Sequence, residues 1–279
     1  MSSRALSDLS CGRPFFDGEQ MLLAPVRPRT DWLEAPSSLA VVPDATTRAA
    51  LARAWLRDAQ LEHASIASFA RFSLQLLACG APAELIASAH RAALDEVEHA
   101  QACFALASRY AGRALGPGEL PMPRSFAPTS LAESAALTVR EGCIAETIAA
   151  RLAYEQLQHA SDETAQAALL RIATDETQHA GLAYQFVRWA ISTGGAEVYS
   201  AVERAFASAR KQLLAAEIGA PEEDIALGEW HAHGRLSARE QRVCELSCLQ
   251  EVIEPCVCSL LDGWRGSGDA CASASASKC

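Results

Sequence analysis

Two stretches of the 279-residue chain carry the same chemistry, "LDEVEHA" from Leu94 to Ala100 and "TDETQHA" from Thr174 to Ala180. Each reads Asp-Glu-x-x-His-Ala. On a helix, residues three apart lie on one face, so Glu96 with His99, and Glu176 with His179, can each converge on one ion. Two such pairs hold two ions if further carboxylates bridge them, and each neighbouring helix then needs to supply one inward glutamate. Glu62 meets that need: it sits in the middle of an apolar face, where an unpaired carboxylate is costly, and stands 34 residues before Glu96. The helix before Glu176, the third of the chain, offers two glutamates in "REGCIAETIAA", Glu141 and Glu146. They are five residues apart and point roughly 140° from one another. Glu141 precedes Glu176 by 35 residues and Glu146 by 30, so the match to the first spacing selects Glu141 and leaves Glu146 as the alternative ligand. Asp95 and Asp175, each just before a ligand glutamate, are placed to accept an imidazole N–H from the facing helix and so orient the ligand. Mixed carboxylate and imidazole donors suit iron or manganese, whereas structural zinc favours cysteine and histidine.

The elements that must position these groups are helical. Half the chain is apolar and only 6% is aromatic, and alanine and leucine dominate. Asp44 is an N-cap for a helix to about Cys79, with Trp55, Glu62, Ile66, Phe69, Ser73 and Leu76 on one face and Arg53, Gln60, Arg71 and Gln75 on the wet one. "CGAP" at 79–82 ends it, and a second helix runs to about Ala111. Residues 112–129 hold four prolines and three glycines and predict an extended crossover. "SLAE" at 130–133 is a capping box for a third helix to about Ala160. Ser161 or Asp162 caps a fourth, which stops at Gly194–Gly195. Two hairpins joined by one long crossover is the connectivity of ferritin-like bundles.

Outside that unit, residues 1–43 predict an extended arm, a fifth helix spans about 196–218, and an acidic loop follows. Ser237 and Glu240 cap a sixth helix to about Leu261, with a break at Pro255, and the low-complexity tail 263–279 predicts disorder. The domains are thus an arm (1–43), a di-metal bundle (44–192), accessory helices (193–262) and a tail (263–279).

One glutamate from each of two helices plus Glu-x-x-His from each of two others resembles the ferritin-like di-iron carboxylate proteins over about residues 50–192. The nearest likeness is to the Glu-x-x-His bundle oxygenases, including those that hydroxylate modified tRNA or quinone precursors. The outer helices and the arm depart from ferritin and rubrerythrin, and no rubredoxin-like pair of Cys-x-x-Cys motifs is present. That departure counts against iron storage. The resemblance implies an all-α fold, two iron ions (or manganese) held by Glu62, Glu96, His99, Glu141 or Glu146, Glu176 and His179, and oxygen activation against a small organic substrate. The alternatives are a ferroxidase or peroxide scavenger, and a metal-free helical interaction module.

Other features carry less chemistry. His63 points about 100° from Glu62. Tyr110, Tyr154 and Tyr184 read as core aromatics. "HAH" at 231–233 reads as ordinary loop, and Cys244, Cys248, Cys256 and Cys258 lack the spacing of a zinc ribbon. A net charge of −10 argues against a nucleic-acid partner, and no apolar run approaches the ~20 residues of a membrane span. The first residues lack the apolar core of a secretory signal, so a cytoplasmic home with reduced cysteines is expected.

Overall fold

A computed structural model describes residues 12–18, 20–33, 43–123, 130–218 and 226–275. Parts of the expected arm, crossover, acidic loop and tail lie outside these residues. Among these residues helix predominates and strand is limited to four two-residue segments, which makes the class all-α.

Helix α1, Ala45–Ala78, starts where the Asp44 side chain accepts from the Thr46 and Thr47 backbone N–H groups. Its buried positions Leu51, Trp55, Ala59, Glu62, Ser65, Phe69, Phe72 and Leu76 recur every three or four residues, the spacing of one helical face. Gly80, at φ +65°, turns the chain into α2, Ala83–Ala111, which packs along α1. Gly112 in the left-handed conformation ends α2. Helix α3, Leu131–Thr138, opens on the Ser130–Glu133 capping box. A π-helical turn, Val139–Ile144, then joins it to α4, Ala145–His159. Asp162 caps α5, Glu163–Ala215, whose backbone is broken at Gly195 (φ 62°, ψ −142°), so the helix expected to stop at Gly194–Gly195 does turn there.

Two hydrophobic clusters make the core, and the helices pass from one to the other. On α1 the first holds Leu51, Trp55 and Ala59 and the second Phe69, Phe72 and Leu76. On α2 the order reverses, with Ala92 in the second and Ala100 in the first, and on α5 it is again that of α1, with Ala173 in the first and Leu182 in the second. Glu62, Glu96, His99, Glu176 and His179 all fall in these gaps, so a polar layer cuts the apolar interior at one level.

The remaining helices cover one end of this core and one of its flanks. Helix α6, Leu227–Ala232, and the chain after it cover one end: the Ala232 carbonyl accepts from Ser161 and Asp162, Tyr110 meets His233 at 3.0 Å, and buried Arg235 pairs with Asp58. "HAH" is therefore the end of a helix and its cap rather than a loop. Helix α7, Ala238–Cys248, a second π turn, Leu249–Ile253, and α8, Glu254–Ser275, lie against the other cluster. The break expected at Pro255 does not occur. The Glu254 N–H reaches back to Leu249 O across the π turn, so a proline with no N–H can follow without clashing. Helix α8 also continues past Leu261, where the glycine- and serine-rich composition predicted its end.

The first described residues are not a loose extension. Two short strands, Phe16–Asp17 (β1) and Gln20–Met21 (β2), pair with each other. A third, Val26–Arg27 (β3), pairs antiparallel with Gly116–Pro117 (β4) at the start of the crossover. This segment lies over the α1 face read as wet: Gln60 donates to Ala24 O at 2.8 Å, and Arg71 to Phe16 O at 3.0 Å.

Candidate metal centre

Six side chains meet where the polar layer crosses the core. Ligand atoms of Glu62, Glu96, His99 and Glu176 lie within 4.8 Å of one another, as do those of Glu96, Glu146, Glu176 and His179. Glu96 and Glu176 belong to both groups. Each group is completed by one further glutamate and one imidazole. The four glutamates are fully buried, His99 is as well, and His179 is 3% exposed.

Both imidazoles have a fixed orientation. His99 Nε2 lies 3.0 Å from Asp175 Oδ2, and His179 Nε2 lies 3.2 Å from Asp95 Oδ2, each aspartate reaching across from the other helix. With Nε2–H donated outward, each Nδ1 faces the centre, where it offers a lone pair once its proton is lost. There His179 Nδ1 stands 3.3 Å from Glu96 Oε1 and 3.5 Å from Glu176 Oε2, and His99 Nδ1 stands 3.6 Å from Glu96 Oε2. Behind His179, the Phe69 ring packs edge-on at 5.0 Å.

The electrostatics of the metal-free cluster are those of too many carboxylates in too little water. Burial pushes the Glu62 and Glu146 carboxyls well above the usual range, and neighbouring carboxylates add to the shift (Glu96 on Glu62, Glu176 on Glu146). Burial acts the same way on Glu96, but the imidazoles of His179 and His99 outweigh it and hold that group at about 2. Burial disfavours charge on His99 and His179, yet Asp175 and Glu96, and Asp95, Glu176 and Glu96, raise both well above the ordinary histidine value.

All eight oxygens of Glu62, Glu96, Glu146 and Glu176, and Nδ1 of both histidines, are buried without a hydrogen-bond partner. A buried carboxylate with no partner costs several kcal/mol, roughly, and four together would not persist in a core without something to bind. Ten orphaned donor atoms aimed at one small volume fit a pair of cations.

Glu141 is not among these residues. Its carboxylate accepts from Arg71 at 2.8 and 2.7 Å and faces Arg13 Nε at 3.7 Å, outside the cluster. The choice made from spacing is thus reversed, and Glu146 takes the place in the centre. The reason lies in the hairpin ends. Glu146 is thirteen residues before the end of α4 and Glu176 thirteen after the start of α5, which sets them level. Helix α1 runs further past Glu62 before its turn, so the spacing of the first hairpin does not transfer to the second.

Three residues near the centre escaped sequence reasoning. Arg13 is 1% exposed, with its guanidinium over Phe72 at 4.2 Å and Phe69 at 5.2 Å; burial lowers its pKa. Arg71, which pairs with Glu141, sits on the face that a helical wheel marks as wet. Ser68 donates to Pro14 O at 3.2 Å. A serine or arginine on a helix has no local signature for a partner some fifty residues earlier.

The other candidates lie elsewhere. His63 stacks edge-on with Trp32, Tyr154 is exposed, and Tyr110 serves the far end of the helices. Cys244 and Cys248 are buried and Cys256 and Cys258 exposed, all as free thiols. Among the described residues they form no metal-holding group with each other or with histidine. No helix among those residues is long and apolar enough to cross a membrane.

No protein-family model matches this chain, and neither do any characterised protein or solved structure to which it was compared.

Proposed function

We propose that the chain is a ferritin-like protein whose helix pairs α1–α2 and α3/α4–α5 form a four-helix bundle around two iron ions, and that it oxidises or hydroxylates an organic substrate with dioxygen. The observation that carries this reading is the sharing of Glu96 and Glu176 between two otherwise separate ligand groups. Only a centre for two neighbouring ions needs carboxylates common to both. One ion would be held by Glu62 and His99 and the other by Glu146 and His179, with Glu96 and Glu176 between them. Manganese would be accepted by the same donors.

Held by those six side chains, two reduced irons would supply two-electron reducing chemistry toward dioxygen. The chain's own contribution is to bind, orient and exclude. Asp95 and Asp175 keep each histidine in the tautomer with Nδ1 free. Full burial of the glutamates keeps bulk water from the reacting volume. Glu62 and Glu146, raised by burial, can hold a proton on carboxyl oxygens whenever they are not ligating.

The test is an anaerobic Fe²⁺ titration followed by exposure to oxygen. Two ions per chain are expected, the number a di-iron carboxylate site takes. A chain that stays metal-free sinks the reading and leaves a helical interaction module. Steady-state oxygen uptake that needs an organic compound and a reductant supports the oxygenase. Uptake sustained by Fe²⁺ alone would replace it with a ferroxidase.

A further inference from the structure

The backbone at Gly12 lies directly against the centre, although it is fifty residues from the nearest ligand in sequence. Three side chains, one helical turn apart on α1, hold this segment by its carbonyls. Ser65 Oγ donates to Arg13 O at 2.9 Å, Ser68 Oγ to Pro14 O at 3.2 Å, and Arg71 to Phe16 O at 3.0 Å. Phe15 is fully buried beside Leu22 and Ala64. Arg13 runs inward to Glu141 and the Phe69 and Phe72 rings. The segment is therefore fixed on both sides of its backbone, and Gly12 cannot drift away from α1.

A methyl group on Gly12 would stand 2.6 Å from Glu62 Oε2 and 2.4 Å from Ser65 Oγ. The Ser65 hydroxyl is held by the Arg13 carbonyl, which leaves the Glu62 carboxylate as the group free to yield. No described glycine faces Glu146 in this way.

Resting on the metal-centre reading above, we propose that Gly12 is a positioning residue for one half of the centre. Its missing side chain leaves the space that the Glu62 carboxylate must occupy, and residues 12–16 form the wall that keeps the carboxylate there. The two ion positions are thereby unequal. Gly12 bears on the one that uses Glu62 and His99, and no described glycine stands in that way against Glu146 of the other.

The experiment compares full-length wild type, Gly12→Ala and Gly18→Ala in anaerobic Fe²⁺ titrations, with helix content and metal-free melting measured alongside. Gly18 has the same φ of +61° with nothing within 4 Å, so it reproduces the backbone strain without the clash. Wild type and Gly18→Ala are expected to bind two ions. Gly12→Ala is expected to keep one and bind the other ~10–100-fold more weakly, the usual size of a change behind a ligand. Should Gly12→Ala lose helix, Ser65→Ala is read instead. It removes only the hydroxyl that holds the Arg13 carbonyl, and it must weaken one ion and spare the other. Equal binding of both ions in the folded variant overturns the inference alone, whereas a wild type without metal overturns the centre itself.

Discussion

At the scale of single residues, the shared and unshared glutamates should behave differently. Glu96→Ala or Glu176→Ala removes a group common to both ion positions and should abolish loading of both, while Glu62→Ala or Glu146→Ala should cost one ion; elemental analysis after anaerobic reconstitution distinguishes the two patterns. Glu141→Ala should leave the stoichiometry at that of wild type. Its cost is to the fold, about 3–5 kcal/mol in denaturant unfolding, because Arg13 and Arg71 lose the carboxylate they share in the interior. The pH response of the metal-free chain has a definite sign. Glu62 and Glu146 are raised above 4.5, and His99 and His179 above 6.5, so the folded state holds protons that the unfolded state releases. Its stability should fall as pH rises from about 4.5, with a second decline above about 6.5. Metal must displace those protons, so affinity should move the opposite way and strengthen with pH, and calorimetry in buffers of different ionisation enthalpy should show proton release. The residue-level chemistry was largely legible, since two Asp-Glu-x-x-His-Ala stretches and a buried glutamate on a regular helix announce themselves. Glu146 was not, because choosing between it and Glu141 requires knowing where each helix stops.

At the scale of elements, the helix ends that carry strong local signals are the ones that can be read in advance. Asp44, the two capping boxes at Ser130–Glu133 and Ser237–Glu240, Gly112 and Gly195 each satisfy or break the backbone through their own chemistry. The π turns at Val139–Ile144 and Leu249–Ile253 have no such residue; they arise because the side chains on either side must both face the interior. The pairing of Val26–Arg27 with Gly116–Pro117 joins segments ninety residues apart, and two-residue strands have no periodicity to detect. Gly195 gives the element-scale test. Its φ of 62° with ψ −142° belongs to glycine, and open space surrounds the Cα, so the backbone alone is at stake. Gly195→Ala should lower stability by about 1–3 kcal/mol in denaturant unfolding without changing metal loading.

At the scale of the whole molecule, one polar layer separates two hydrophobic clusters, and α1, α2 and α5 pass through it. Without ions that layer holds neighbouring carboxylates whose mutual repulsion opposes the packing on either side. Ions bound there, as proposed, would tie the halves together, and ligand linkage would add about 2.7 kcal/mol at a free concentration one hundred times the dissociation constant. Calorimetry should therefore show a melting temperature that climbs with added Fe²⁺ under anaerobic conditions and drops on chelation. A melting curve indifferent to both would mean that the layer is not a binding site. The buried seam also has a consequence for the life of the protein in a cell. On the di-iron proposal, a copy without its ions should open more often at this layer and be cut by proteases faster than a filled copy. Abundance would then track the supply of metal with no regulator of transcription involved, since each polypeptide would carry in its own midsection the criterion by which it is kept or destroyed.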